Sequence, residues 1–281
     1  MSLVIGEISY TNILPLYYDL DREYLESQGC KIKPQVPSEL NREMSAGRID
    51  VGGISSFAYA ENKNHFTLFP NLSVSALGKV GSIFLFSKVP IHQLTAKKVA
   101  LTSTSATSTH LLKIILERFY EQSPRYTTMK PNIHKMLSDH DACLLIGDEA
   151  IVASFNKREE LYQYDLGELW YKHTGMPMTF AVLAIRNEAI DHNSHLAGTL
   201  YRLFLESKKR SEMSHYQPMI KDILKTYGGD KSFWEDYFNN LIYDFSNREQ
   251  RGLMLYYQLA YDLGYLSEPV ESIHVWKAVG S

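Results

Sequence analysis

Residues 31–57 read KIKPQVPSELNREMSAGRIDVGGISSF, and their pattern is strand, helix, strand. Lys31–Val36 is an extended segment, after which Pro37-Ser38-Glu39 opens a helix with Ser38 as its cap and Leu40 and Met44 on one face. Gly47 closes that helix, and Ile49-Asp50-Val51 begins a second strand expected to break at Gly52-Gly53. A single short helix between two strands implies parallel pairing through a right-handed crossover. The same alternation continues in both directions. Leu3–Ile8 is an opening strand followed by the turn-like Ser9-Tyr10-Thr11-Asn12, and Leu72–Lys88 is β-rich through Gly78 and Gly81. Lys98–Thr102, Ala142–Ile146 and Thr179–Arg186 are further strands, and Thr107–Tyr120 is a helix with Leu111, Leu112, Ile115 and Phe119 on one stripe. From His195 onward the pattern is almost wholly helical, with aromatic stripes such as Trp234, Tyr237 and Phe238 that suit either an internal core or a homodimer face.

This alternation defines an α/β architecture of two lobes, each a mixed sheet flanked by helices. The expected division is residues 1–87 with 187–281 in the first lobe and 88–186 in the second. Two crossings between lobes make a hinge, with a ligand cleft between them.

Bulk properties narrow the function. The 281 residues can bury one large core or two modest ones, and 44% hydrophobic with 22% charged residues is globular composition. A net charge of −3 excludes a generally basic protein that coats nucleic acid. No run approaches the roughly 20 apolar residues of a bilayer span, and the start MSLVIGEISY lacks a basic n-region and an apolar h-region, so a cytoplasmic protein is expected. Cys30 and Cys143 match no metal or redox spacing, and Cys143 in ACLLI reads as a small buried hydrophobe. The histidines show no HExxH or clustered spacing, and neither a Walker loop nor a GxSxG elbow is present. No metal or organic cofactor is expected.

Four loops are placed to face the cleft. Asn12 follows the first strand, where open α/β sheets collect ligands, and either contacts a ligand or caps the helix beginning near Ile13. Ser55 and Ser56 follow the glycine pair and either cap a helix or hold an anion at its N-terminus. Residues 102–108, TSTSATS, lie between a strand and an amphipathic helix, and Ser105, Thr107 and Ser108 there form a natural carboxylate or phosphate cradle. Asp148, in Ile146-Gly147-Asp148-Glu149, is a general base, a ligand contact or a structural cap. His173, beside Thr174-Gly175, reads as a surface or hinge histidine.

The wording of the chain goes further. Ser9-Tyr10-Thr11-Asn12 with Pro15, PSELNREMSAGRIDVGGISS at 37–56, LGKVGS at 77–82, SATS at 105–108, LLIGDEA at 144–150, YDLGELW at 164–170 and TGMP at 174–177 occur in order over the first two thirds of the chain. In this ordered set the chain resembles the chorismate dehydratases of the futalosine route to menaquinone, whose fold is that of type II periplasmic binding proteins. The resemblance implies a hydro-lyase that converts chorismate to 3-[(1-carboxyvinyl)oxy]benzoate and water. It implies Asn12 and Ser82 at the reacting ring, and the substrate's carboxylates among Ser55, Ser56, Ser105, Thr107, Ser108, Asp148 and Thr174. A sister family, the 1,4-dihydroxy-6-naphthoate synthases acting on cyclic dehypoxanthine futalosine, is similar around the DLG-W and TG-P phrases. It carries Ile-His-Glu where this chain has Ile146-Gly147-Asp148-Glu149, which favours the dehydratase. A non-catalytic protein that binds a small carboxylate is the third reading.

Overall fold

The computed structural model describes residues 3–8, 10–156 and 158–277, so Ser9 of the first turn lies outside the described residues. Along the chain run β1 (Val4–Ile8), a 3₁₀ turn (Thr11–Ile13), α1 (Leu14–Tyr17), α2 (Arg22–Ser27), β2 (Lys31–Gln35), α3 (Pro37–Ser45), β3 (Val51–Ser55), α4 (Ser56–Glu61) and β4 (Phe66–Ala76). They are followed by β5 (Ile83–Ser87), β6 (Lys98–Thr102), α5 (Ala106–Ile114) with a π turn (Ile115–Phe119), β7 (Arg125–Met129), α6 (Ile133–Asp139), β8 (Ala142–Ile146), α7 (Gly147–Phe155), β9 (Tyr162–Asp165) and α8 (Leu166–Thr174). The chain ends with β10 (Met178–Arg186), α9 (Asn187–Met213), α10 (Gln217–Tyr227), α11 (Lys231–Asn240), the short β11 (Leu241–Ile242) and α12 (Asn247–Asp262).

Two mixed sheets result, of order β11-β4-β10-β3-β1-β2 and β7-β6-β8-β5-β9. In the first, β1 pairs parallel with β2 and β3, and β10 runs antiparallel between β3 and β4. In the second, β6 is parallel to β7 and β8, and β5 is antiparallel to β8 and β9. The architecture is the expected one of two lobes.

The sheets divide the chain one strand away from the expected boundaries on each side: β5 belongs to the second sheet and β10 to the first. The crossings are therefore the segment 77–82, between β4 and β5, and the residues between α8 and β10. Two local expectations are also corrected. Helix α3 begins at Pro37 with Val36 as its N-cap and no side-chain cap bond, because proline occupies the first helical position and moves the start ahead of Ser38. β3 runs unbroken through Gly52 and Gly53, fully buried at the sheet centre. A Cβ on Gly53 would lie 2.3 Å from Ile13 Cδ1, so this glycine lets the first turn pack close against the sheet.

The aromatic stripes of the C-terminal helices are internal. Trp234, Tyr237 and Phe238 are buried in the chain's own core and leave no dimer face of that kind. Among the described residues no helix is long and apolar enough to cross a membrane.

Candidate active site

The crevice between the lobes is built at the carboxyl ends of strands. Its cavity is lined from the first lobe by Ile8, Tyr10, Asn12, Ile13, Pro37, Ser55, Phe180 and Ala181, and from the second by Ile83, Ser105, Ser108, Ile146 and Gly147. The cavity has a volume of about 470 Å³, the solvent at its mouth included.

Polar atoms in the cavity come from turns and helix starts. Tyr10 is the N-cap of the 3₁₀ turn and makes no side-chain cap bond, and Asn12, the second residue of that turn, lies in the cavity wall. Ser55 caps α4, its Oγ accepting from Ala58 N at 3.2 Å and from Asn41 Nδ2 at 3.1 Å. Ser105 caps α5, accepting from Ser108 N and donating to Ser108 Oγ, both at 3.1 Å. The first turns of α5 and α7 border the cavity through Ser105, Ser108 and Gly147. Free amides and dipoles at such ends favour a negative group without a charged side chain. Among the described residues, no Asp, Glu, His, Lys or Arg lines this cavity. Its one titratable group is Tyr10, which burial and the neighbouring Glu149 carboxylate hold above the usual phenol range.

A ring of cross-lobe contacts surrounds the cavity. Thr107 Oγ1 accepts from Phe57 N at 2.9 Å and lies 3.1 Å from Ser56 Oγ, which itself donates to Thr179 O at 2.8 Å. The Tyr256 and Tyr257 hydroxyls of α12 donate to Thr107 O and Ser56 O at 3.1 and 2.6 Å. Phe57 stacks on His110 with ring centres 3.8 Å apart. On the opposite flank Thr11 donates to Asp148 Oδ1 from N at 3.3 Å and from Oγ1 at 2.6 Å. Burial pushes the Asp148 carboxyl up, and hydrogen bonds from Thr11 and Tyr227 draw it back.

Of the nine residues singled out in the sequence, the structure brings Asn12, Ser55, Ser105 and Ser108 together in the cavity wall. Ser56, Thr107 and Asp148 are buried and spend their polar atoms on the contacts that hold the lobes together. Ser82 is fully buried behind the wall; its neighbour Ile83 faces the cavity and its carbonyl accepts from Gly147 N at 2.7 Å. Thr174 closes the end of α8, donating to Trp170 O at 2.8 Å, and is not among the lining residues. Tyr10 and Phe180 were missed as lining residues. Tyr10 sits beside Asn12 in the quoted phrase, whereas nothing in the apolar run of β10 marks Phe180 as facing a ligand.

A two-lobed α/β chain with a crevice between two mixed sheets has the periplasmic-binding-protein fold. Accordingly, its structure is similar to the alkanesulfonate-binding protein from Xanthomonas axonopodis pv. citri bound to MOPS, with TM-score 0.71 at 14% identity, covering 99% of this chain and 98% of that one. The chain belongs to the menaquinone biosynthesis family, whose sequence pattern matches residues 3–262. It is 35% identical to a chorismate dehydratase of Thermus thermophilus over 199 residues, covering 66% of this chain and 70% of the relative. Similarity to a 1,4-dihydroxy-6-naphthoate synthase of the same organism is weaker, 24% over 149 residues and 53% of each chain.

Proposed function

We propose that the chain is a chorismate dehydratase, a cytoplasmic hydro-lyase that makes 3-[(1-carboxyvinyl)oxy]benzoate and water without a metal or organic cofactor. Family membership and the 35% identity to a chorismate dehydratase support the substrate. The observation that supports the mechanism is the cavity wall itself: hydroxyl groups at helix starts and, among the described residues that line it, no Asp, Glu, His or Lys.

Chorismate brings the missing groups. Its C3 proton is acidified through the diene conjugated to the ring carboxylate, and its enolpyruvyl carboxylate lies within reach of that proton. In this reading that carboxylate takes the C3 proton, the C3–H electron pair becomes a ring double bond, and the C4 hydroxyl leaves as water by taking that same proton, which restores the carboxylate. Aromatisation drives the step, so the protein contributes orientation and electrostatic support. Asn12 holds the departing hydroxyl or the enolpyruvyl group, and the α5 and α4 starts with Ser105, Ser108 and Ser55 hold carboxylates. Closure excludes water from the reacting ring.

The test is to supply purified protein with chorismate and, separately, with cyclic dehypoxanthine futalosine, and to identify products by mass and absorbance. Loss of one water from chorismate alone is expected. Turnover of the futalosine derivative would transfer the assignment to the naphthoate synthases, and tight chorismate binding without product would leave a binding protein.

A further inference from the structure

Behind the cavity wall two hydroxyls are buried with no hydrogen-bond partner: Ser82 Oγ, on the first crossing, and Tyr237 Oη, on α11. Such groups are rare, and an orphan pair in one place calls for an explanation. Tyr237 packs against the crossing one residue before Ser82. Its ring lies under the crossing, where a Cβ on Gly81 would come within 3.1 Å of Tyr237 Cδ2, and Gly81 takes φ +72°. Both the close approach and the backbone conformation require glycine there. The crossing is held from its other side by Asp165, which accepts from Gly81 N at 2.7 Å and Val80 N at 3.1 Å. The Ser82 backbone is thus fixed, and its hydroxyl keeps one free rotor.

We propose that Tyr237 is a positioning residue for the cleft chemistry: packed under the crossing beside Gly81, its phenol orients the Ser82 hydroxyl. This ties α11 to a residue that the resemblance assigns to the reacting ring. The proposal rests on the dehydratase reading for its catalytic arm.

The experiment is a double-mutant cycle of Tyr237→Phe and Ser82→Ala in the full chain, read by chorismate turnover and by urea unfolding. Phenylalanine keeps the buried ring and removes only the oxygen. Tyr237→Phe is expected to lower kcat at least about tenfold with KM within about threefold, and to add nothing further in the Ser82→Ala background. The unfolding midpoints of the two variants are expected to be non-additive. A wild-type kcat in Tyr237→Phe, or losses that multiply in the double variant, would overturn the proposal, because pure packing predicts one of these. If wild-type protein fails to dehydrate chorismate, the dehydratase reading falls instead. The unfolding cycle then still decides whether Tyr237 and Ser82 are coupled, and additive midpoints would refute the pairing.

Discussion

His110 lies at the seam of the lobes, stacked on Phe57 and with Nδ1 2.9 Å from Ala106 O, to which it donates in the neutral state. Burial, aided by the Lys113 charge, pushes its pKa from 6.5 down to about 4 against the opposing pull of that carbonyl. The unfolded chain therefore takes up the proton before the folded one does. Stability tied to His110 is complete above about pH 6.5 and drains away as the pH falls toward 4, to a total of roughly 3 kcal/mol. Replacing His110→Gln should flatten the pH dependence of the urea midpoint between pH 7 and 4.5, and an unchanged slope would assign that dependence to other groups. Asn12 gives the complementary case. Among the described residues its amide has no hydrogen-bond partner, so Asn12→Ala should leave the unfolding free energy within about 0.5 kcal/mol while lowering kcat on chorismate by at least about 100-fold. Near-normal turnover in this variant would remove Asn12 from the chemistry.

Asp165 works between elements. It ends β9, caps α8 by accepting from Glu168 N at 3.0 Å, and clamps the crossing through Val80 N and Gly81 N. Asp165→Ala orphans these amides at once and should cost about 3 kcal/mol in urea unfolding, whereas Asp165→Asn, which keeps an acceptor, should cost less than half of that. Equal losses would mean that charge rather than acceptance holds the crossing. Elements of this kind were legible in the sequence where the signal is local. Ser55 and Ser105 cap helices because cap and amide lie within three residues of each other. Ser38 does not, since Pro37 at the first helical position puts the cap at Val36, two residues earlier, and Gly53 of β3 serves a packing partner, Ile13, forty residues away in sequence. The buried roles of Ser56 and Thr107 were illegible for the same reason: each is defined by a residue on the other lobe.

At the scale of the molecule, two lobes and a cleft follow from the strand and helix alternation, while the crossings fell one strand away because pairing partners such as β10 with β3 leave no mark in the strand's own residues. If the lobes part to admit substrate, the contacts that join them must break. Ser56 Oγ and Thr107 Oγ1 lie 3.1 Å apart across the lobes, and Cys30 and Cys143 are both buried. A Ser56→Cys, Thr107→Cys variant should therefore cross-link on oxidation, lose turnover and regain it on reduction. Activity retained by the cross-linked form would show that the lobes need not part. The central claim is that a cleft with no base of its own dehydrates chorismate by using the substrate's carboxylate. It is tested most directly by the pH profile of kcat with chorismate from pH 5.5 to 9. The substrate's carboxylate stays ionised over that range and the Tyr10 phenol stays protonated, so a flat profile is predicted. A titrating limb that disappears in Asp148→Asn or Glu149→Gln would contradict it, because the base would then belong to the protein.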